Sequence, residues 1–112
     1  MEYRQLTENF SVSPQIAPED VGAVKAAGFK SVICNRPDGE QPGQPEAESV
    51  RQAVEEAGLT FRYIPVVSGQ VTPENVAEMA EALDDLEGPI FAYCRSGTRC
   101  ANLFMLVQEN EE

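Results

Sequence analysis

Pro89-Ile90-Phe91-Ala92-Tyr93-Cys94-Arg95-Ser96-Gly97-Thr98-Arg99 reads as an apolar strand that ends on a cysteine, a short glycine-containing loop, and an arginine opening a helical stretch. A helix start carries unpaired backbone N–H groups and the positive end of the macrodipole, so it attracts anions and lowers the pKa of a thiol placed there. A strand that delivers a side chain to the mouth of a following helix belongs to α/β architecture. The same stretch therefore sets the expected fold and a candidate nucleophile, Cys94, with Arg99 as the expected grip on an oxyanion.

The rest of the chain repeats the alternation of strand and helix. Residues 10–12 read as a short strand, paired with residues 3–6. Pro18 stands in a first helical turn, Val21, Val24 and Ala27 are spaced for one buried face, and Gly28 closes that helix. Lys30 to Cys34 is a β-branched, apolar run suited to a central strand. A turn-rich loop follows from Asn35 to Pro45, long for a connection of this type. A second helix is expected over 46–57, a strand over Phe61–Val67, and a turn at Ser68-Gly69-Gln70. Thr72-Pro73-Glu74 is a helix start, and that helix runs to about Leu86. A fourth helix is expected from Ala101 to Gln108, with 109–112 frayed. The expected fold is thus a mostly parallel sheet of four or five strands flanked by helices, in one domain spanning residues 1–112. Ligands of such sheets bind beyond the carboxyl ends of the strands, which would gather the segments after Cys34, Val67 and Cys94 at one edge.

Composition narrows the chemistry. The 112 residues are 42% hydrophobic, which suits one folded domain. No apolar run approaches the ~20 residues of a membrane span, and the N-terminus lacks the pattern of a signal peptide. A net charge of −11, from 19 acidic and 8 basic residues, argues against nucleic-acid or anionic-membrane partners. Two of those eight basic residues, Arg95 and Arg99, nevertheless flank the Cys94 loop. The chain has no histidine, so Ser-His and Cys-His catalysis are excluded. Its three cysteines lack metal-like spacing, which argues against a zinc site or a disulfide framework and for a reducing, cytoplasmic setting. No cofactor is implied.

Several residues have a structural alternative beside the functional one. Cys94 could be a small buried hydrophobe, but its place at a strand end before Gly97 and Arg99 favours a nucleophile. Arg99 in a first helical turn opposes the macrodipole, and a bound anion would offset this. Arg95 is expected at the mouth of the site, where it recruits substrate. Gly97 answers a positive φ or a close backbone approach, and Ser96 and Thr98 contribute hydroxyls and backbone N–H groups to the anion cradle. Cys100 is either a residue packed beneath the loop or a partner for sulfur or disulfide chemistry. Arg36 is a second anion contact or a surface ion pair, Asp38 belongs to the site rim, and Cys34 is read as core.

Three segments, Cys94-Arg95-Ser96-Gly97-Thr98-Arg99, Asn35-Arg36-Pro37-Asp38-Gly39-Glu40 and Ile64-Pro65-Val66, together resemble the phosphatase-like domain of beta-lactamase hydrolase-like proteins. That small bacterial group is also described as a sulfurtransferase family. The resemblance runs from Arg4 to the last helix. It implies a fold similar to dual-specificity tyrosine phosphatases, and a persulfide dioxygenase or metallo-β-lactamase-like partner, which would here act in trans. One departure is Cys100, where the family usually places serine. It bears on any hydrogen bond from that position to Cys94.

Spacing separates the two reactions that the resemblance implies. Four residues lie between Cys94 and Arg99, where tyrosine phosphatases have five and single-domain rhodaneses four. Expelling an alcohol is helped by a general acid, typically worth ~10²–10⁴ in rate, and Val66 to Thr72 carries no carboxylate. Asp38 or Glu40 could serve only if their loop folds over the site. Thiosulfate expels sulfite, which needs no proton. The sequence therefore favours a sulfurtransferase carrying sulfane sulfur on Cys94, from a small anionic donor such as thiosulfate or a persulfide to a thiol, cyanide or sulfite. A cysteine phosphatase and a non-catalytic anion- or sulfur-binding module remain the alternatives.

Overall fold

A computed structural model describes residues 2–110. Five strands, β1 (Arg4–Thr7), β2 (Phe10–Ser13), β3 (Ser31–Cys34), β4 (Thr60–Tyr63) and β5 (Ile90–Tyr93), form one sheet in the order β1-β2-β5-β3-β4. Among the described residues, only the β1–β2 pair is antiparallel. β5 pairs in parallel with β2 on one side and β3 on the other, and β3 pairs in parallel with β4. The mostly parallel α/β sheet expected from the sequence is therefore present, with five strands.

Alternation along the strands builds two apolar layers. Ile90 and Ala92 of β5 join Phe10, Val12 and Ile33 on one face, under Met79 and Ala82 of α3 (Pro73–Asp85) and Leu103, Phe104 and Val107 of α4 (Thr98–Asn110). The rings of Phe10 and Phe104 stack at a centroid distance of 4.2 Å. Phe91 and Tyr93 point to the opposite face. There they meet Val21 and Val24 of α1 (Val21–Ala26) and Ala47, Val50 and Val54 of α2 (Ala47–Glu56). Covering a parallel sheet on both faces is what allows β2, β3 and β5 to be buried throughout.

Local differences from the sequence reading have identifiable causes. The strand expected over Phe61–Val67 ends at Tyr63, since Pro65 has no N–H to continue a ladder. The extended path persists, with Ile64 N–H donating to the Cys34 carbonyl and Val66 N–H to that of Asn35. The first helix begins as a 3₁₀ turn at Pro18–Asp20 before α1. Thr72 caps α3 as expected, accepting from Asn75 N–H while the Asn75 side chain accepts from Thr72 N–H. The last helix starts at Thr98, earlier than expected, and extends through Glu109 and Asn110 of the expected tail; residues 111 and 112 lie outside the described residues. Among the described residues, no helix is long and apolar enough to cross a membrane.

Candidate functional site

β5 is fastened on both sides up to its last residue. Cys94 N–H donates to the Ser13 carbonyl at 3.2 Å, and Asn35 N–H donates to that of Tyr93 at 2.9 Å. The chain then turns through Arg95, Ser96 and Gly97 into α4. Gly97 has φ +91°, a conformation that L side chains resist, and this turn aims its N–H at the Cys94 Sγ, 3.1 Å away. Thr98 N–H donates to Ser96 Oγ, whose hydroxyl contacts Thr98 Oγ1 at 3.2 Å. The loop is therefore ordered by its own hydroxyls, and its backbone donors converge on the sulfur.

This convergence holds the Cys94 thiol down at about 5. A hydrogen bond from the Cys100 thiol contributes most; burial opposes it, and the backbone N–H groups of Cys100, Ser96 and Gly97 reinforce it. Cys100 is itself fully buried, and that burial pushes its own thiol upward. The pair is thus asymmetric, with the thiolate at 94 and the protonated donor at 100. The sequence left Cys100 between packing and chemistry; it packs in the same core cluster as Cys94 and lowers the pKa of the Cys94 thiol. Cys34 is core, as expected, with burial raising its thiol and its sulfur set 3.3 Å from the Arg36 carbonyl.

A cavity of about 650 Å³ opens beside the loop, lined by Arg36, Glu40, Gln41, Ser68, Gly69, Val71, Arg95, Ser96, Thr98, Arg99 and Asn102. The segments after β3, β4 and β5 therefore do gather at one sheet edge. Three of the eight cationic side chains line this one space. Cys94 is not part of the wall; it is only 1% exposed. Its thiolate nonetheless favours the charged guanidinium of Arg99, which places the two groups within electrostatic reach. Arg95 is exposed at the rim, as expected, and among the described residues it forms no ion pair.

The 35–45 loop differs most from its expected role. Arg36 is 3% exposed, and its guanidinium donates to Glu40 Oε1, Gln15 Oε1 and Gln41 Oε1 at 2.9, 3.1 and 3.0 Å. It borders the cavity, and three of its five N–H donors tie its loop together and to Gln15. Of the two roles expected for it, the ion pair is present, made within its own loop to Glu40 and largely shielded from solvent. Asp38 is not among the residues lining the cavity: its Oδ1 accepts from Ala47 N–H at 2.8 Å and caps α2. Glu40 is the carboxylate that reaches the site. Its Oε2 accepts from Arg99 Nη1 at 2.9 Å and its Oε1 from Nη2 at 3.1 Å, while Arg99 Nη1 also donates to the Val66 carbonyl at 2.8 Å. Bonding to Arg99, then to Arg36, keeps the Glu40 carboxyl below its ordinary range despite partial burial. It is therefore a carboxylate at neutral pH, not an acid with a proton to give. Gln15 and Gln41 carry no local signal of this role, because the groups they serve are brought to them by the fold.

Among the described residues, no cluster of three potential ligands could hold a metal ion. The arrangement offers a stabilised thiolate, a ring of amide donors and a guanidinium, which suits nucleophilic attack on an anionic electrophile.

A family model described as beta-lactamase hydrolase-like protein, phosphatase-like domain, matches residues 2–110. A beta-lactamase hydrolase-like protein of Agrobacterium fabrum is 35% identical over 102 residues, covering 91% of this chain and 24% of that protein. The chain thus spans about a quarter of the length of the curated relatives it matches. A crystal structure of a candidate phosphatase from Neisseria meningitidis superposes with a TM-score of 0.83 at 35% identity, covering 90% of this chain and 72% of that one. The core catalytic domain of a PP-IP phosphatase from S. cerevisiae shares the fold at a TM-score of 0.65 and 15% identity, covering 85% of this chain and 56% of that one.

Proposed function

Because this chain belongs to the family of the beta-lactamase hydrolase-like protein phosphatase-like domain, we propose that it is a cysteine-dependent phosphatase-type enzyme with Cys94 as nucleophile. The observation that carries this reading is the Cys94 sulfur, held near pKa 5 by converging donors beside a cavity with three arginines. The thiolate attacks the phosphorus of a phosphate ester, an S–P bond forms, and the P–O bond breaks with its electron pair on the leaving oxygen. Loop amides and Arg99 stabilise the charge on the equatorial oxygens. Water then hydrolyses the phosphocysteine, releasing inorganic phosphate and restoring the thiolate.

Glu40 limits the substrates this site can use. With its carboxyl ionised by two guanidinium groups, no acid among the cavity-lining carboxylates supplies a proton to a basic alkoxide. Substrates with weakly basic leaving groups, such as aryl or acyl phosphates, fit best.

That same observation, with the four-residue loop, supports a second reading as a sulfurtransferase. Here the thiolate attacks the outer sulfur of thiosulfate or a persulfide, a new S–S bond forms, and sulfite or the donor thiolate departs. An acceptor thiol, cyanide or sulfite then takes the sulfane sulfur from Cys94 in a ping-pong cycle.

The test is to assay purified protein with p-nitrophenyl phosphate and, separately, with thiosulfate plus cyanide. The proposal expects phosphate release that Cys94→Ser abolishes. Thiocyanate formation without phosphate release, accompanied by a sulfur adduct on Cys94 in intact-protein mass spectra, selects the second reading. Unchanged turnover in Cys94→Ser removes the nucleophile assignment from both.

A further inference from the structure

Arg99 has five N–H donors, and their use can be accounted for one by one. Nη1 spends one on Glu40 Oε2 and one on the Val66 carbonyl, and Nη2 spends one on Glu40 Oε1. Glu40 therefore grips the end-on edge of the guanidinium, the edge formed by Nη1 and Nη2. Two donors remain, the Nε–H and the outward Nη2–H. These lie parallel on the side-on edge, the second of the two geometries in which a guanidinium meets an oxyanion bidentately. Arg99 is thus anchored on one edge and unpaired on the other, and it lines the cavity together with the loop residues Ser96 and Thr98.

The anchor is itself anchored. Glu40 Oε1 also accepts from Arg36 Nε at 2.9 Å. Arg36 is nearly inaccessible to solvent, and its Nη1 and Nη2 each donate one further hydrogen bond, to Gln15 and Gln41. Gln15 sits just beyond β2, and its N–H donates to the Arg95 carbonyl of the Cys94 loop at 3.3 Å. Gln44 braces the same loop by accepting from Glu40 N–H and donating to the Pro37 carbonyl. The carboxylate that orients Arg99 is therefore set by a built network and not by a chance surface pairing.

We propose that Glu40, held by Arg36, is a positioning residue that fixes Arg99 so that its Nε/Nη2 edge receives the substrate oxyanion. The proposal rests on the reading of Arg99 as the anion contact of this site. Glu40 neither touches the reacting atoms nor transfers a proton. An unrestrained arginine loses much rotamer freedom when it binds, and the Glu40 clamp removes that loss before substrate arrives. The 35–45 loop, which carries no nucleophile, thereby becomes part of the anion-binding machinery.

The experiment measures binding of tungstate, a tetrahedral dianion that needs no turnover, by calorimetry on wild type, Glu40→Ala, Glu40→Gln, Glu40→Asp, Arg99→Lys and the Glu40→Ala/Arg99→Lys double variant. Circular dichroism reports folding, and Glu40→Gln, which keeps the side-chain shape, replaces Glu40→Ala should that variant not fold. The expected result is roughly tenfold weaker binding in Glu40→Ala, partial recovery in Glu40→Asp, and no further loss on adding Glu40→Ala to Arg99→Lys. Equal or tighter binding in Glu40→Ala, with Arg99→Lys weakened, overturns the positioning role alone. Equal binding by wild type and Arg99→Lys overturns the anion reading of Arg99, and this proposal with it.

Discussion

The Gly97 N–H points at the Cys94 Sγ from 3.1 Å, a contact made by a residue that donates only because its φ is positive. The backbone shape of the turn thus adds to the larger contribution of the Cys100 side chain in stabilising the thiolate. With burial opposing ionisation and the donors overcoming it, the titration at 94 falls near 5, far below an ordinary thiol at ~8.5. Ultraviolet thiolate absorbance, taken as wild type minus Cys94→Ser, should rise through pH 5 and be flat by neutrality. Cys34 and Cys100, whose burial raises their thiols, should not titrate in that window. The pH–rate profile should share this acid limb. A step near 8.5 in the difference spectrum would remove the thiolate from the mechanism.

The asymmetry between positions 94 and 100 gives a second expectation. Cys100→Ala removes the largest stabilising contact to the Cys94 thiolate. A hydrogen bond to a charged group is typically worth ~1.5–3 kcal/mol, and one pKa unit corresponds to ~1.4 kcal/mol. The Cys94 midpoint should therefore rise by about one to two units in Cys100→Ala. It should stay near the wild-type position in Cys100→Ser, which retains a donor. No change in the alanine variant would show that the amides alone suffice.

Gly97→Ala tests the turn. A Cβ there would lie 3.4 Å from the Ser13 backbone, a tolerable distance, so the cost comes from forcing an L residue to φ +91°. That is about 1–2 kcal/mol, and relaxation of the turn would swing the N–H away from the sulfur. The expected outcome is a modest fall in melting temperature with a disproportionate loss of turnover and an upward shift of the Cys94 titration. Full activity at reduced stability would mean the amide contact is dispensable.

Asp38→Ala should do the reverse. Its carboxylate caps α2 by accepting from Ala47 N–H, and loss of such a cap costs ~0.5–2 kcal/mol. Chemical denaturation should show that loss, with kcat close to wild type. A collapse of kcat at unchanged stability would return Asp38 to the site.

The sheet, its mostly parallel sense and the loop that carries Cys94 were legible because each is written in local signals: alternating apolar runs, Pro and Gly at helix boundaries, and a cysteine at a strand end. The division of labour in the 35–45 loop was not. Asp38, Glu40 and Arg36 are close in sequence and equally polar, yet one caps a helix, one clamps Arg99 and one braces the clamp. What distinguishes them is long-range: Ala47 N–H for the first, Arg99 for the second, Gln15 for the third. The Tyr63 hydroxyl, which accepts from Asp38 N–H, adds a tie from β4. The early end of β4 is an intermediate case, since Pro65 announces it, although the apolar run continues to Val67.

The order β1-β2-β5-β3-β4 puts the segment that delivers Cys94 in the middle lane, while β1 and β4 keep their outward residues in water. Sheets wear from their margins, where least backbone is fastened. As denaturant rises, the rims should therefore surrender their amide protons to exchange well before Ile90–Tyr93 does. The seat of the nucleophile is the last part of the sheet that heat or urea should reach.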